Sequence, residues 1–266
     1  MNNKCAVILA GGEGKRMKSD IPKPMNEVLG KPMLRWVIDS VKAAGIDDIC
    51  VVTGYKTEIT EKYLHELPFE VSHVLQSERL GTGHAVMMAK DFLNEKGGDV
   101  VILCGDAPFM DTKTIADAYN DHNESGASAT VISAMLDDPT GYGRIVRNED
   151  GTLNSIVEQK EADEATLAIK EVNSGGYWFD TMDLLSVLDD IKANNSAKEY
   201  YLPDALYLLL QNGRKVGAFT ADSPDTVLGA NDPAQLAELN NIAKGKLGIR
   251  NEELQWSLRD ICNFLN

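Results

Sequence analysis

Cysteine is scarce: Cys5, Cys50, Cys104 and Cys262 stand far apart in a chain of 266 residues. No C-x-x-C pair occurs, and His65, His73, His84 and His122 show no ligand spacing, so neither a zinc scaffold nor a disulfide framework is indicated. Three of the cysteines lie in apolar, strand-like runs, the usual setting of buried reduced thiols. No apolar run approaches the roughly 18 residues that span a membrane, and no charged-then-apolar leader opens the sequence. A cytoplasmic protein without a membrane partner is expected. Cations are outnumbered, 26 Lys and Arg against 41 Asp and Glu, for a net charge of −15. A nucleic-acid partner would call for a basic stripe, so none is expected. Any anionic ligand must instead be held by a local positive site. Internal repeats are missing too, including the hexapeptide ladder of a left-handed β-helix.

What is present is enough apolar content, 43% of residues, to bury a core unaided. The length suggests one main domain over residues 1–232, with a helical extension over 233–266. Short β-branched runs alternate with amphipathic stretches. Strands are expected at 5–10, 48–54, 69–75 and 99–105, with helices at 33–45, about 57–65, 82–93 and 112–123. That β-α alternation predicts an α/β fold: a Rossmann-like, mostly parallel central sheet with helices on both faces. In such folds ligands bind outside the carboxyl ends of the strands, so the loops after residues 10, 54, 75 and 105 are where chemistry is expected. The second half changes character. Runs at 127–136, 143–148, 153–160 and 172–180 read as strands with fewer helices between them, an inserted antiparallel piece. Helices follow near 181–193 and 203–212, then a strand at 215–221 and helices from about 233 and from about 251.

The first of those loops is the most informative. "LAGGEGKRMKSDIPKPM" (9–25) leaves the opening strand through glycines, which let backbone N–H groups approach a phosphate. It fails as a P-loop, because Leu9 stands where the first glycine is required, and as a dinucleotide fingerprint, because Met17 stands where the third is. It carries Lys15, Arg16, Lys18 and Lys23 against Glu13 and Asp20, so the loop is positive in a negative chain. Pro22 and Pro24 restrict the backbone on either side of Lys23 and aim its amine. A triphosphate is the natural target; a solvated basic loop with no ligand is the alternative. Further along, Gln76 ends a strand with both a donor and an acceptor, suited to a base edge. Asp106 follows the apolar run "VVILC" between Gly105 and Pro108, placed either to cap a helix or to hold Mg²⁺, which takes one or two carboxylates plus substrate phosphates.

These segments resemble the sugar-1-phosphate nucleotidyltransferases over roughly residues 5 to 235. "LAGGEGKRM…PKPM" matches their opening signature, and "QSERLGTGHA", "DDPTGYGRIV", "IVEQK" and "EVNSGGYWF" match later stations. Among members the chain is most similar to the uridylyltransferases that join N-acetylglucosamine 1-phosphate to UTP. The resemblance implies a nucleotide-diphospho-sugar transferase fold of the GT-A-like kind, in which the antiparallel piece binds sugar. It implies nucleotide contacts at Leu9, Ala10, Gly11, Gly12, Gln76, Gly81 and Thr82, and catalytic roles for Arg16 and Lys23. Sugar contacts are implied at Gly143, Glu158 and Asn173, with Tyr200 or Tyr201 near the acetyl group and Tyr200 the first choice. Mg²⁺ would be held by Asp106 and Asn231. Two departures stand out: Arg79, where bacterial members often carry glutamine, and Cys104, where many carry tyrosine.

On that basis the expected reaction is Mg²⁺-dependent synthesis of UDP-N-acetylglucosamine and pyrophosphate. Arg16 would bind the leaving phosphates and Lys23 the α-phosphate. Two alternatives remain open: the same chemistry on glucose 1-phosphate with UTP or dTTP, and a nucleotide-sugar sensor without catalysis. The sensor could dispense with Arg16, Lys23 and Asp106. Many bacterial members are bifunctional, with a β-helix domain following this one, through which their trimers largely form; the 266 residues are either a stand-alone enzyme or part of such a protein, and by themselves are expected to form a monomer or weak dimer.

Overall fold

A computed structural model describes residues 3–195 and 197–249. Cys262 and the helix expected from about residue 251 lie outside the described residues. The chain opens with β1 (Lys4–Leu9), a small hairpin of β2 (Glu27–Val28) and β3 (Lys31–Pro32), and α1 (Met33–Ala43). Next come β4 (Asp48–Thr53), α2 (Thr57–His65), β5 (Ser72–Leu75), α3 (Thr82–Met88) and α4 (Lys90–Lys96). Then follow β6 (Asp99–Cys104), α5 (Thr112–Ser125), β7 (Ala129–Met135), β8 (Arg144–Arg147) and β9 (Leu153–Val157). The last part holds α6 (Glu164–Leu167), β10 (Glu171–Asp180), α7 (Thr181–Leu188), α8 (Pro203–Gln211), β11 (Val216–Thr220) and α9 (Pro233–Lys246).

The main sheet has the order β11-β7-β10-β6-β1-β4-β5, with β8 and β9 leaving it as a hairpin beside β10. β6, β1, β4 and β5 run parallel, as do β7 and β11, while β10 lies antiparallel to both β6 and β7. The mostly parallel sheet with an antiparallel insertion is therefore present. β1 and β6 are apolar after their first residues, Lys4 and Asp99, because both faces are covered. On β1, Cys5 and Val7 join the core under α7 and α8, while Ala6 and Ile8 join the core under α1 and α5. Cys5, Cys50 and Cys104 carry free thiols. No helix among the described residues is long and apolar enough to cross a membrane.

Local chemistry sets several boundaries. Asp111, Asp180 and Asp232 cap α5, α7 and α9 by accepting a backbone N–H in the first turn. The helix expected over 82–93 breaks at Ala89, whose N–H turns back to Val86 O and whose φ of −91° and ψ of 10° leave helical geometry. β5 starts three residues later than its apolar pattern, because it pairs with β4 only from Ser72 opposite Cys50. α9 packs Leu239 and Ala243 against Met17, Val28 and Phe109, so it covers the basic loop from outside.

One ion pair locks the insertion to the sheet. Arg147 of β8 reaches Glu171 of β10 at 2.8 and 2.6 Å, and also donates to Ala218 O at 3.0 Å on β11. Ser133 of β7 adds a 2.6 Å bond to the same carboxylate. Burial pushes the Glu171 carboxyl up, but the bonds from Arg147 and Ser133 outweigh it and hold the group below its ordinary value of 4.5. A depressed folded-state value means the contribution is complete above the unfolded value and fades as pH falls through the folded one. Glu171→Gln is expected to cost about 1–3 kcal/mol at pH 7 and to flatten the loss of stability below pH 4.5. Urea midpoints across pH 3–7 for both proteins check this; parallel profiles would contradict it.

Candidate active site

The loops after β1, β4, β5 and β6 meet at the carboxyl end of the sheet. Strand-like bonds continue past the strand ends: Ala10 N–H to Val52 O, Gln76 N–H to Thr53 O and Gly105 N–H to Leu9 O, at 2.8 to 2.9 Å. Two glycines then let two loops touch. A Cβ on Gly54 would lie 2.7 Å from Gly11 O, and Tyr55 N–H bonds that same oxygen at 3.1 Å. Gly14 has φ +67°, and a Cβ there would meet Lys23 Cβ at 2.8 Å. This glycine lets the loop double back over the lysine stem. Lys23 N–H closes the turn onto Gly12 O at 3.1 Å.

The aimed amine meets two oxygens. Lys23 Nζ donates to Asn231 Oδ1 at 2.7 Å and is ion-paired with Asp106 Oδ2. The cluster is mostly shielded, with Lys23 and Asp106 side chains 16% and 24% exposed. Asn231 arrives from far along the chain because Gly229 passes the Asp106 backbone, where a Cβ would be 2.8 Å from Asp106 O. Gln235 Oε1 accepts Asn231 N–H at 2.7 Å and steadies the turn. Among the described residues no group of three or more His, Cys, Asp and Glu could hold a metal. A cation here would rest on one carboxylate and one amide oxygen, and those two already converge on a single ammonium nitrogen. Arg16 is exposed on the short 3-10 turn Lys15–Met17 and does not line the cleft.

The cleft between these loops measures about 330 Å³ and is lined by Gly11, Gly12, Lys23, Gln76, Gly81 and Asp106 among others. Two larger hollows, about 670 and 470 Å³, lie against α2 and beside the β2–β3 hairpin and hold none of the candidate residues. Gln76 is buried, its Nε2 bonded to Gly81 O at 3.0 Å and facing His84 Nδ1 at 3.1 Å. Its Oε1 lies 3.0 Å from where a Gly11 Cβ would be. Thr82 begins α3, but Gly81 is the cap; the Thr82 hydroxyl accepts Leu202 N–H at 3.0 Å instead. Tyr200 N–H and O bond Leu80 and Gly83, and its ring packs on the core beside His84. Tyr201, not Tyr200, lines the cleft. Cys104 lines it as well, its thiol pushed up to about 12 by burial first and by Asp106 second, so it lines the wall as an uncharged group.

Gly143, Glu158 and Asn173 gather on the β8–β9 hairpin side. Asn173 N–H bonds Gly143 O at 2.9 Å, and a Cβ on Gly143 would be 3.1 Å from Glu158 Oε1. The Asn173 side chain is engaged at both ends, donating to Tyr177 Oη at 2.8 Å and accepting Gly175 N–H at 2.9 Å. It sits at a register shift between Asn173 and Gly176, which turns the strand locally. Glu158 is exposed by area, yet desolvation, and then the like charge of Glu161, raises its carboxyl above the ordinary 4.5.

Sequence reasoning passed over Arg144 and Gln159. Arg144 is 2% exposed, donates to Tyr142 O and lies 3.4 Å from Gln159 Oε1, which also accepts Gly141 N–H. Together they fix the turn before Gly143. The signal was a cation inside an apolar strand pattern, "GRIV". Glu199, also lining the cleft, left no such signal.

The sequence profile described as nucleotidyl transferase matches residues 5–230. The bifunctional protein GlmU of Acetivibrio thermocellus is 46% identical over 242 residues, covering 91% of this chain and 52% of that protein. The bifunctional protein GlmU of Clostridium beijerinckii is 46% identical over 250 residues, 94% of this chain and 54% of its own. The chain thus spans about half the length of these curated relatives. Among solved structures, a putative glucose-1-phosphate thymidylyltransferase from Bacillus anthracis superposes with a TM-score of 0.74 at 20% identity, covering 91% of this chain and 95% of that one. A UDP-glucose pyrophosphorylase bound to UDP-glucose gives 0.74 at 18%, covering 92% and 100%. At those identities the likeness shows the fold alone.

Proposed function

The chain belongs to the nucleotidyl transferase family, and from that premise we propose that it transfers a uridylyl group from UTP to N-acetylglucosamine 1-phosphate, releasing pyrophosphate. The observation that carries this reading is the meeting of Lys23 and Asp106, which line the cleft with Gly11 and Gly12, with Asn231 bonded to the same amine. A sensor of nucleotide sugars would need no such charge cluster. The nucleotidyl transferase family supports nucleotidyl transfer, and the motif segments quoted above carry the choice of sugar and base.

In the proposed reaction a phosphate oxygen of the sugar attacks the α-phosphorus of UTP. The new O–P bond forms as the bond to the β-phosphate bridge breaks, and pyrophosphate leaves with the bonding pair. Little covalent chemistry falls to the protein; positioning and charge do the work. The glycine loop offers backbone N–H groups to the triphosphate, Gln76 and Gly81 meet the base, and Lys23 faces the charge that builds on the α-phosphate. Arg16, exposed on its turn, is free to swing onto the leaving phosphates. Gly143, Glu158 and Asn173 hold the sugar and its acetamido group.

The donor set would suit Mg²⁺ once the Lys23 ammonium turns to the α-phosphate: a carboxylate and an amide oxygen converge on the point that the ammonium holds without nucleotide, and phosphates would complete the shell. When bound, Mg²⁺ supplies neutralisation of phosphate charge. The protein's part is to hold Asp106 and Asn231 in place through Gly229 and Gln235.

The test is pyrophosphate release with Mg²⁺, crossing UTP and dTTP against N-acetylglucosamine 1-phosphate and glucose 1-phosphate. Preference for UTP with the N-acetylated sugar is the expected result. Preference for glucose 1-phosphate would overturn the roles of Glu158 and Asn173 while leaving that of Lys23. Binding of nucleotide sugar without release from any pair would make the protein a sensor.

A further inference from the structure

Glu13 is out of place in an anion-binding loop. It stands between Gly12 and Gly14, where its carboxylate would oppose a triphosphate. The structure gives it a counter-charge from another loop: Arg79 Nη2 donates to Glu13 Oε2 at 2.9 Å. Arg79 belongs to the segment between β5 and α3 that also carries Gln76 and Gly81. Its guanidinium lies 5.6 Å from the Tyr55 ring centre, and Tyr55 N–H is bonded to Gly11 O. The arginine head therefore bridges the cleft mouth, from the base side to the phosphate side. It also lines the cleft together with Gly12 and Lys23.

Resting on the nucleotide reading above, we propose that Arg79 is a phosphate-binding residue held in reserve by Glu13, changing partner from that carboxylate to the triphosphate when nucleotide enters. Three features carry this. The pair is open to water, with side chains 44% and 28% exposed, and exposed ion pairs are weak and easily exchanged. A guanidinium is a planar fork that takes phosphate oxygens two at a time, and such charge-assisted contacts outmatch a single exposed one. Incoming phosphate charge repels Glu13 while attracting Arg79, so both halves of the exchange run the same way. Until then the pair cancels a charge that would otherwise repel the ligand.

A merely structural strap makes a different prediction. If the pair only shaped the two loops, removing either partner would harm nucleotide binding in the same direction. Exchange requires opposite signs. Titration calorimetry of the full chain with UTP and Mg²⁺, without sugar phosphate, distinguishes them. Arg79→Gln is expected to weaken UTP about tenfold, the scale of one charge-assisted contact. Glu13→Gln is expected to tighten it by about threefold, the scale of an exposed pair. Inorganic tripolyphosphate should follow the same pattern, and uridine should bind all three proteins alike.

Weakening by both substitutions, or no change from Arg79→Gln, would overturn the exchange. A change in uridine affinity for Arg79→Gln would make Arg79 a base contact and also overturn it. Urea midpoints of the two variants guard against misfolding; the sign of the Glu13→Gln effect remains decisive, since a damaged fold does not bind more tightly. If the unaltered protein binds no UTP at all, the functional reading itself fails, which is a separate result from the wrong signs.

Discussion

Lys23→Ala is expected to slow pyrophosphate release by about 10²-fold or more, the usual loss when one charge contact to a transition state is removed. The expectation rests on geometry. The amine stands on a stem fixed by Pro22 and Pro24 and by the N–H bond to Gly12 O, and its head is held by Asp106 and Asn231. Removal leaves Asp106 partly hydrated, since its side chain is 24% exposed, so the fold should survive. Lys23→Arg should rescue little, because a longer planar fork does not reproduce a compact ammonium aimed at the α-phosphate. Single-turnover assays with UTP and N-acetylglucosamine 1-phosphate measure the effect, alongside the urea midpoint. Turnover within threefold of the unaltered protein would remove Lys23 from the mechanism.

Gly81→Ala is expected to lose about 3 kcal/mol or more of stability, combining backbone strain with a forced overlap. Gly81 has φ +107°, which side chains rarely adopt, and its added Cβ would fall 2.5 Å from Tyr200 O. That oxygen is not free to move. It accepts Gly83 N–H at 2.8 Å, while Tyr200 N–H bonds Leu80 O at 2.7 Å. Relief would have to part the two segments that line the cleft beside Gln76. Nucleotide affinity should therefore fall with the denaturation midpoint, read by urea titration and calorimetry on the same sample. A midpoint unchanged within experimental spread would show that the 199–201 segment yields easily.

Much of this was legible in the residues because local signals agreed with the global fold. β1 reads as an apolar run and is covered on both faces; Thr57–His65 is a helix over the span its pattern indicates. The glycine loop announced its turn, since Gly14 needs a left-handed backbone that other residues resist. What stayed hidden depends on distant partners. The apolar run "YWF" marks 172–180 as a strand, and the sequence places it in an antiparallel piece, but not between β6 and β7, which are its neighbours in the sheet. Nothing in "KEYYLPD" separates Tyr200 from Tyr201; the bonds to Leu80 O and from Gly83 N–H turn one to the core and leave the other in the cleft. Arg144 could be noticed as odd but not understood, because its partners Tyr142 and Gln159 come together only in the folded turn. Asn173 looks like an amide wholly free to grip a ligand, but Tyr177 and Gly175 engage it on both atoms, leaving one N–H and one lone pair for a sugar.

The bond between Lys23 and Asn231 joins residues 208 positions apart, and this has a consequence in time. A ribosome delivers the basic loop early and the amide late. At roughly 5–20 residues per second, those 208 positions take roughly 10–40 s. For that interval the growing chain can pair Lys23 with Asp106 as soon as β6 is out, but it has neither the amide nor the α9 cover over Met17 and Phe109. The cleft is thus among the last parts of the domain to be finished, although its most recognisable residues are among the first to be made.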